Sequence, residues 1–174
     1  MKMRLGAAVA AALVFLPAAR PPIAMAQATA ITGTWSAERT ATPGRLHVEF
    51  SSTDADGKSD ISSSFDQDGA QFGLTAAQLD SPGTHVAFTF AREAGSFACQ
   101  GWVAHGKGGG PFTFTPSAAY AAGIRSRGYS GLTSRDQMAA AVLDLTTGYA
   151  DAIASAGYPH LAFSKLVAFR DLKI

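Results

Sequence analysis

The side chains able to do chemistry fall into a few short clusters. Gly101-Trp102-Val103-Ala104-His105-Gly106-Lys107-Gly108 has the G-x-x-x-x-G-K spacing of a loop that wraps backbone N–H groups around phosphates. That chemistry needs Ser or Thr after the lysine to hold Mg²⁺, and a helix whose N-terminus faces the phosphate. Gly108 occupies the hydroxyl position, and a glycine-rich turn leads into a β pattern at Phe112. The segment is expected to be a hairpin turn that binds no nucleotide. His47-Val48-Glu49 matches the H-x-E half of a zinc deaminase signature, but the P-C-x-x-C half is missing. At i and i+2 on a strand both side chains share a face, so a surface pair is expected. Asp54, Asp56 and Asp60 suggest calcium. Counted from Asp54, however, the glycine and glutamate an EF-hand loop requires are Ser59 and Phe65, which reads as a solvated hairpin end.

Cys99 is the one cysteine, so no internal disulfide forms, and four histidines could serve it as a base. Its inward strand position between Phe97 and Gly101 instead predicts a small buried thiol. No serine sits in a G-x-S-x-G elbow. Trp35 reads as core at the start of the first strand. Trp102 alternates onto the face of Ala98 and Gln100, where it either marks a binding surface or packs under a helical layer. No residue is assigned a catalytic, cofactor-binding or metal-binding role, and no cofactor is expected.

These residues sit on two kinds of element. From 27 to 117 the chain reads as an antiparallel β-meander of about six strands. Leu46, Val48 and Phe50 alternate with His47 and Glu49; Val86, Phe88 and Phe90 repeat the pattern, as do Phe97, Cys99 and Val103, and Phe112 with Phe114. Asp56-Gly57 and Asp68-Gly69 predict hairpin turns. Thr75 is expected to cap a helical turn within residues 73–79.

From 118 to 174 alanine dominates and a repeat appears. Tyr120, Ala121, Ile124, Ser126, Gly128, Tyr129 and Leu132 recur 29 residues later as Tyr149, Ala150, Ile153, Ser155, Gly157, Tyr158 and Leu161. Gly128 and Gly157 fit the left-handed position just past a helix end, with each tyrosine next and each isoleucine four residues before the glycine. Thr133 with Asp136 predicts a capping box, and Thr146 or Thr147 a further cap. Four short helices are expected, about 118–127, 134–144, 147–156 and 163–170, as two repeated pairs. The fold class is therefore α+β, the helical tail lying on or beside the sheet. Of Leu161, Phe163, Leu166, Val167 and Phe169, either some form an apolar ledge that a partner could cover, or all five pack inward.

The chain has 174 residues, 47% of them hydrophobic, 16% charged, with formal charge +1. That composition suits one packed domain or two small halves, and it lacks the basic excess of a nucleic-acid binder. Lys2 and Arg4 precede an apolar run from Leu5 to Leu16, and Ala24-Met25-Ala26 offers a cleavage site. The pattern predicts a secretory signal over residues 1–26, with the mature chain starting at Gln27. Arg20 with Pro21-Pro22 interrupts the run before the roughly 20 residues a membrane span needs. Loss of Lys2, Arg4 and Arg20 shifts the formal charge from +1 to −2. The chain is expected outside the cytoplasm, periplasmic or extracellular, with no membrane span after cleavage and no nucleic-acid partner.

Gly33-Thr34-Trp35, Gly73-Leu74, the run from Phe88 to Phe97, the run from Gly110 to Pro116 and the two Gly-Tyr helix stops together resemble a module of bacterial exported proteins. The module also forms the extracytoplasmic part of some penicillin-sensor antirepressor-type membrane metallopeptidases. The resemblance implies this architecture and carries over no catalytic residue; the membrane spans and H-E-x-x-H zinc helix of those peptidases are missing here, so their proteolytic activity is not implied. The expectation is an exported, non-enzymatic binding or interaction module, to which the resemblance adds a regulatory place in the cell envelope. Its alternatives are a cell-envelope hydrolase using Cys99 or an acid pair, and an accessory or inhibitor of a membrane peptidase.

Overall fold

The computed structural model describes residues 29–53 and 60–172. The expected leader, Asp54, Asp56 and the Asp56-Gly57 turn lie outside the described residues. Six strands and six helices follow one another there: β1 (Ile31–Arg39), β2 (Arg45–Thr53), β3 (Asp60–Asp68), α1 (Gly69–Phe72), α2 (Ala76–Asp80), β4 (Thr84–Arg92), β5 (Gly95–Ala104), β6 (Lys107–Pro116), α3 (Ala118–Ser126), α4 (Ser134–Val142), α5 (Thr147–Ser155) and α6 (Phe163–Asp171). The class is α+β, an antiparallel sheet followed by helices.

The strands do not run as a single meander. Their order is β3-β2-β1-β6-β5-β4, two three-stranded meanders joined by β1 and β6 at the centre. The cause lies at Asp68-Gly69, which is not the expected hairpin turn. The Asp68 carboxylate accepts hydrogen bonds from the backbone N–H of Ala70 and Gln71 at 2.9 and 3.1 Å, and so starts α1. From there α1 and α2 carry the chain to the opposite edge, burying Phe72, Leu74 and Leu79 on the way. Thr75 caps α2 with a reciprocal box to Gln78, as the sequence indicates.

Period-two alternation decides the sheet's buried face: Leu46, Val48 and Phe50 in β2, Phe97, Cys99 and Val103 in β5, Phe112 and Phe114 in β6 are all sealed. The sheet curls until its two edges meet over this face. The Phe65 ring of β3 stacks on Phe90 of β4 at 5.8 Å, and Phe50 stacks on Phe97 at 4.1 Å. Gly101 and Gly110 permit a close backbone approach between β5 and β6. A Cβ at Gly110 would lie 2.1 Å from the Gln100 carbonyl oxygen, and one at Gly101 2.1 Å from that of Gly109. Between them the Gln100 carbonyl accepts the indole N–H of Trp35 at 2.8 Å, so buried Trp35 is satisfied.

The tail helices fall within a residue or two of their expected bounds. At the ends of α3 and α5, Tyr129 N–H donates to Ile124 C=O and Tyr158 N–H to Ile153 C=O, both at 3.2 Å. Gly128 and Gly157 hold φ +92 and +101 between them, the Schellman geometry the sequence calls for. Helix α3 packs on α5, and α4 on α6, β3, β5 and β6. Glu93, in the β4–β5 turn, accepts from Thr147 N–H at 3.1 Å and Thr147 Oγ1 at 2.6 Å, docking the start of α5 on the sheet. Arg127 donates two 2.7 Å bonds to Asp151, joining α3 to α5 and holding that carboxyl below the usual carboxylate range.

Candidate functional site

Period two also places two polar residues on the buried face. After Val86, Phe88 and Phe90 the next inward position of β4 is Arg92; after Phe65 the next of β3 is Gln67. They meet where the sheet edges close. Arg92 Nη2 donates to Gln67 Oε1 at 2.8 Å, and Gln67 Nε2 donates to Gln71 Oε1 at 2.6 Å. The Arg92 guanidinium carbon lies 4.5 Å from the Phe90 ring centroid, which supports its flat face.

The tail supplies the other wall. Just past the end of α4 lies Asp144, whose φ is +52, and the following Leu145 N–H donates back to Ala140 C=O at 2.8 Å. Asp144 carboxylate oxygens lie 3.6 Å from Arg92 Nε and 3.9 Å from Arg170 Nη2 of α6. Arg170 donates through Nε to the Leu143 C=O at 3.0 Å, satisfying a helix-end carbonyl, and its guanidinium lies 5.1 Å from the Tyr149 ring centroid. Arg45 donates to the Asp66 carbonyl at 3.0 Å at the rim, where His47 Nδ1 also lies 2.9 Å from Asp66 Oδ1.

Between these walls is a cleft of about 640 Å³, lined by Arg45, Gln67, Arg92, Asp144 and Arg170 among others. Four buried side-chain polar atoms lack a hydrogen-bond partner among the described residues: Arg92 Nε, Tyr120 Oη, Tyr129 Oη and Gln137 Oε1. Of their residues, Arg92 alone lines the cleft. The arrangement can orient and bind a polar ligand through fixed guanidinium donors.

The residues singled out in the sequence lie mostly elsewhere. The loop around Lys107 is a β5–β6 hairpin, with His105 and Gly106 at φ +49 and +79, the pair of positive φ values of a type I′ turn. Lys107 Nζ lies 2.6 Å from Glu38 Oε1 in an exposed ion pair. His47 and Glu49 do face the surface, but each pairs across to β3: His47 with Asp66, and Glu49 with Ser62 Oγ at 2.5 Å. Among the described residues no group of three His, Cys, Asp or Glu side chains could hold a metal ion. Asp60 opens β3 opposite Thr53.

Cys99 is 2% exposed, and burial pushes its thiol up to about 12. Trp35 is core. Trp102 is 48% exposed, edge-on to His85 at 4.5 Å, and so is not covered by the tail. His85 lines a second, shallower cleft with Gln100 and Pro111. In the tail Leu166 is fully buried, while Leu161, Phe163, Val167 and Phe169 are half-buried against the core.

Sequence reasoning did not single out the cleft residues. Arg92 and Gln67 carry a readable signal, a charge and an amide where the alternation calls for apolar side chains. Asp144 and Arg170 carry none, because their meeting depends on how the tail docks. No family model, curated protein or solved structure matches the chain.

Proposed function

We propose that the chain is an exported binding module that holds a small polar ligand in the cleft between the closing sheet edges and the helical tail, without transforming it. The observation that carries this reading is convergence: β3, β4, the end of α4 and α6 each send a polar side chain into one cleft of about 640 Å³. That size suits a small molecule, and few but fixed polar groups are what such sites use for orientation. The thiol of Cys99, the nucleophile candidate, is neutral near pH 7 and sealed under the sheet, which favours binding over covalent chemistry. Export rests on the leader pattern of residues 1–26. A regulatory place in the cell envelope is what the resemblance adds, and the 29-residue repeat supports reading the tail as one helical pair used twice.

The test is a thermal-shift screen of the exported protein against amino acids, short peptides, sugars and nucleotides, with each hit recovered and weighed by mass spectrometry. A ligand that raises Tm and returns unchanged is the expected result. A hit converted to product would replace the reading with a hydrolase, and no shift in any class would sink it. The intact mass of the same sample should begin at Gln27; a membrane-bound species retaining Met1 would remove the export part.

A further inference from the structure

Resting on the binding reading above, we infer that the cleft takes the carboxylate of an amino acid or short peptide at Arg92 and Arg170, and that Asp144 is the internal counter-charge with which that carboxylate competes. Three helix ends in the tail share one geometry. Gly128, Gly157 and Asp144 each occupy the left-handed position, and the next residue donates back to the carbonyl five residues before itself, at 3.2, 3.2 and 2.8 Å. Glycine is the natural occupant, because a Cβ is strained there. At the third end an aspartate stands in its place, and its carboxylate faces two arginines.

That carboxylate neutralises without saturating. Its distances of 3.6 Å to Arg92 Nε and 3.9 Å to Arg170 Nη2 are ion-pair distances too long for hydrogen bonds. Arg92 Nε remains a buried donor with no hydrogen-bond partner among the described residues, an arrangement that folded chains rarely keep. Both guanidiniums are nevertheless immobilised, Arg92 by Gln67 and the Phe90 ring, Arg170 by Leu143 C=O and the Tyr149 ring. A planar carboxylate matches such fixed forks, and ordering costs have already been met by the fold. The charge pattern narrows the ligand further. Asp66, Asp144 and Asp171 line the cleft together with Arg45, Arg92 and Arg170, and these walls of mixed charge suit a ligand that carries both a carboxylate and an ammonium better than a dianionic phosphate.

The experiment follows the side-chain Nε–Hε signals of Arg92 and Arg170 in the ¹⁵N-labelled exported protein. The probes are glycylglycine, N-acetylglycine, glycinamide and inorganic phosphate. Both carboxylates should shift both signals saturably, glycylglycine at lower concentration; glycinamide should shift neither, and phosphate should bind more weakly. Asp144→Asn removes one competing charge at about 4 Å and should tighten glycylglycine binding roughly tenfold. Arg92→Lys keeps the charge but loses the planar fork, and should weaken binding roughly tenfold or more with an otherwise unchanged amide spectrum. The inference is overturned by unmoved signals with both carboxylates, by an equal response to glycinamide, by tighter binding of phosphate, or by weaker binding in Asp144→Asn. A thermal-shift hit that leaves both arginine signals unmoved overturns it too, while the binding-module reading stands.

Discussion

In the sheet, the buried side chains are rings: Phe50, Phe90, Phe97, Phe112 and Phe114 fill the curl with centroids 4 to 6 Å apart. In the tail, sealed rings are fewer: Tyr120, Ile124, Leu145 and Leu166 are buried, but Met138, Ala140, Ala141 and Val142 of α4 offer less area each than the rings of the sheet. The tail compensates at its ends. Ser117, Thr133 and Thr146 cap helix starts through their hydroxyls, and left-handed residues close α3, α4 and α5. Helices of nine residues are marginal alone, so hydrogen-bonded ends and docking contacts decide whether they form. One region is specified by volume, the other by backbone geometry. The cleft lies where they meet, which lets the rigid sheet fix Arg92 while the tail fixes Asp144 and Arg170.

The comparison is broken most severely by a hole in the aromatic layer. The Phe50 ring touches those of Phe65, Phe72, Phe90, Phe97 and Phe112. Phe50→Ala should cost about 3–5 kcal/mol, the range for truncating a large buried ring. Because Glu93 and α4 tie the tail to the sheet, the fluorescence of the two sheet tryptophans, Trp35 and Trp102, and far-UV circular dichroism should still report one midpoint in urea. Separate midpoints would mean that the tail folds by itself.

A second test asks whether the sheet core is as dry as its packing implies. Cys99 ionises in the unfolded chain near its ordinary value of 9.0, but burial holds the folded thiol neutral up to about 12. Folded-state pKa exceeds unfolded-state pKa for an acid that is neutral when protonated, so the folded state binds more protons between these values. Stability from this group is complete below pH 9 and is lost as pH rises toward 12, by at most about 1.4 kcal/mol per pH unit. Urea unfolding at pH 8, 9, 10 and 10.5 should show a steeper fall for the wild type than for Cys99→Ala. Equal slopes would place water at the thiol.

Both halves were legible where local physics sets the answer. Alternation gave the inward faces of β2, β4, β5 and β6, and side-chain caps gave α2, α4 and α5. Gly128 and Gly157 marked their helix ends because few other residues adopt that backbone cheaply. The strand order was not legible. Pairing of β1 with β6 joins Thr34 to Pro111, a separation that no local pattern encodes. Asp68-Gly69 misled because aspartate before glycine suits a tight turn and a helix start equally well. The cleft was hidden for both reasons: Arg92 and Gln67 meet only once the sheet curls, and Asp144 ends a helix in the position where glycine would have announced the stop.

That substitution of aspartate for glycine supplies the smallest and most discriminating test of backbone control in the tail. At Gly128 and Gly157 an added Cβ meets nothing within 4 Å, so alanine changes backbone strain and little else. Gly128→Ala and Gly157→Ala should each cost roughly 1 kcal/mol. Asp144→Gly should go the other way. It relieves the left-handed strain, smaller for aspartate than for alanine, and forfeits an ion pair whose carboxylate is 47% exposed and therefore worth little. The net gain should be about 0.5 kcal/mol or less, read as a small rise in the urea midpoint at unchanged slope. If Asp144→Gly instead loses as much as the two alanine variants, the Asp144 carboxylate is holding the tail on the sheet, and the division between a core set by volume and a tail set by backbone fails at the cleft.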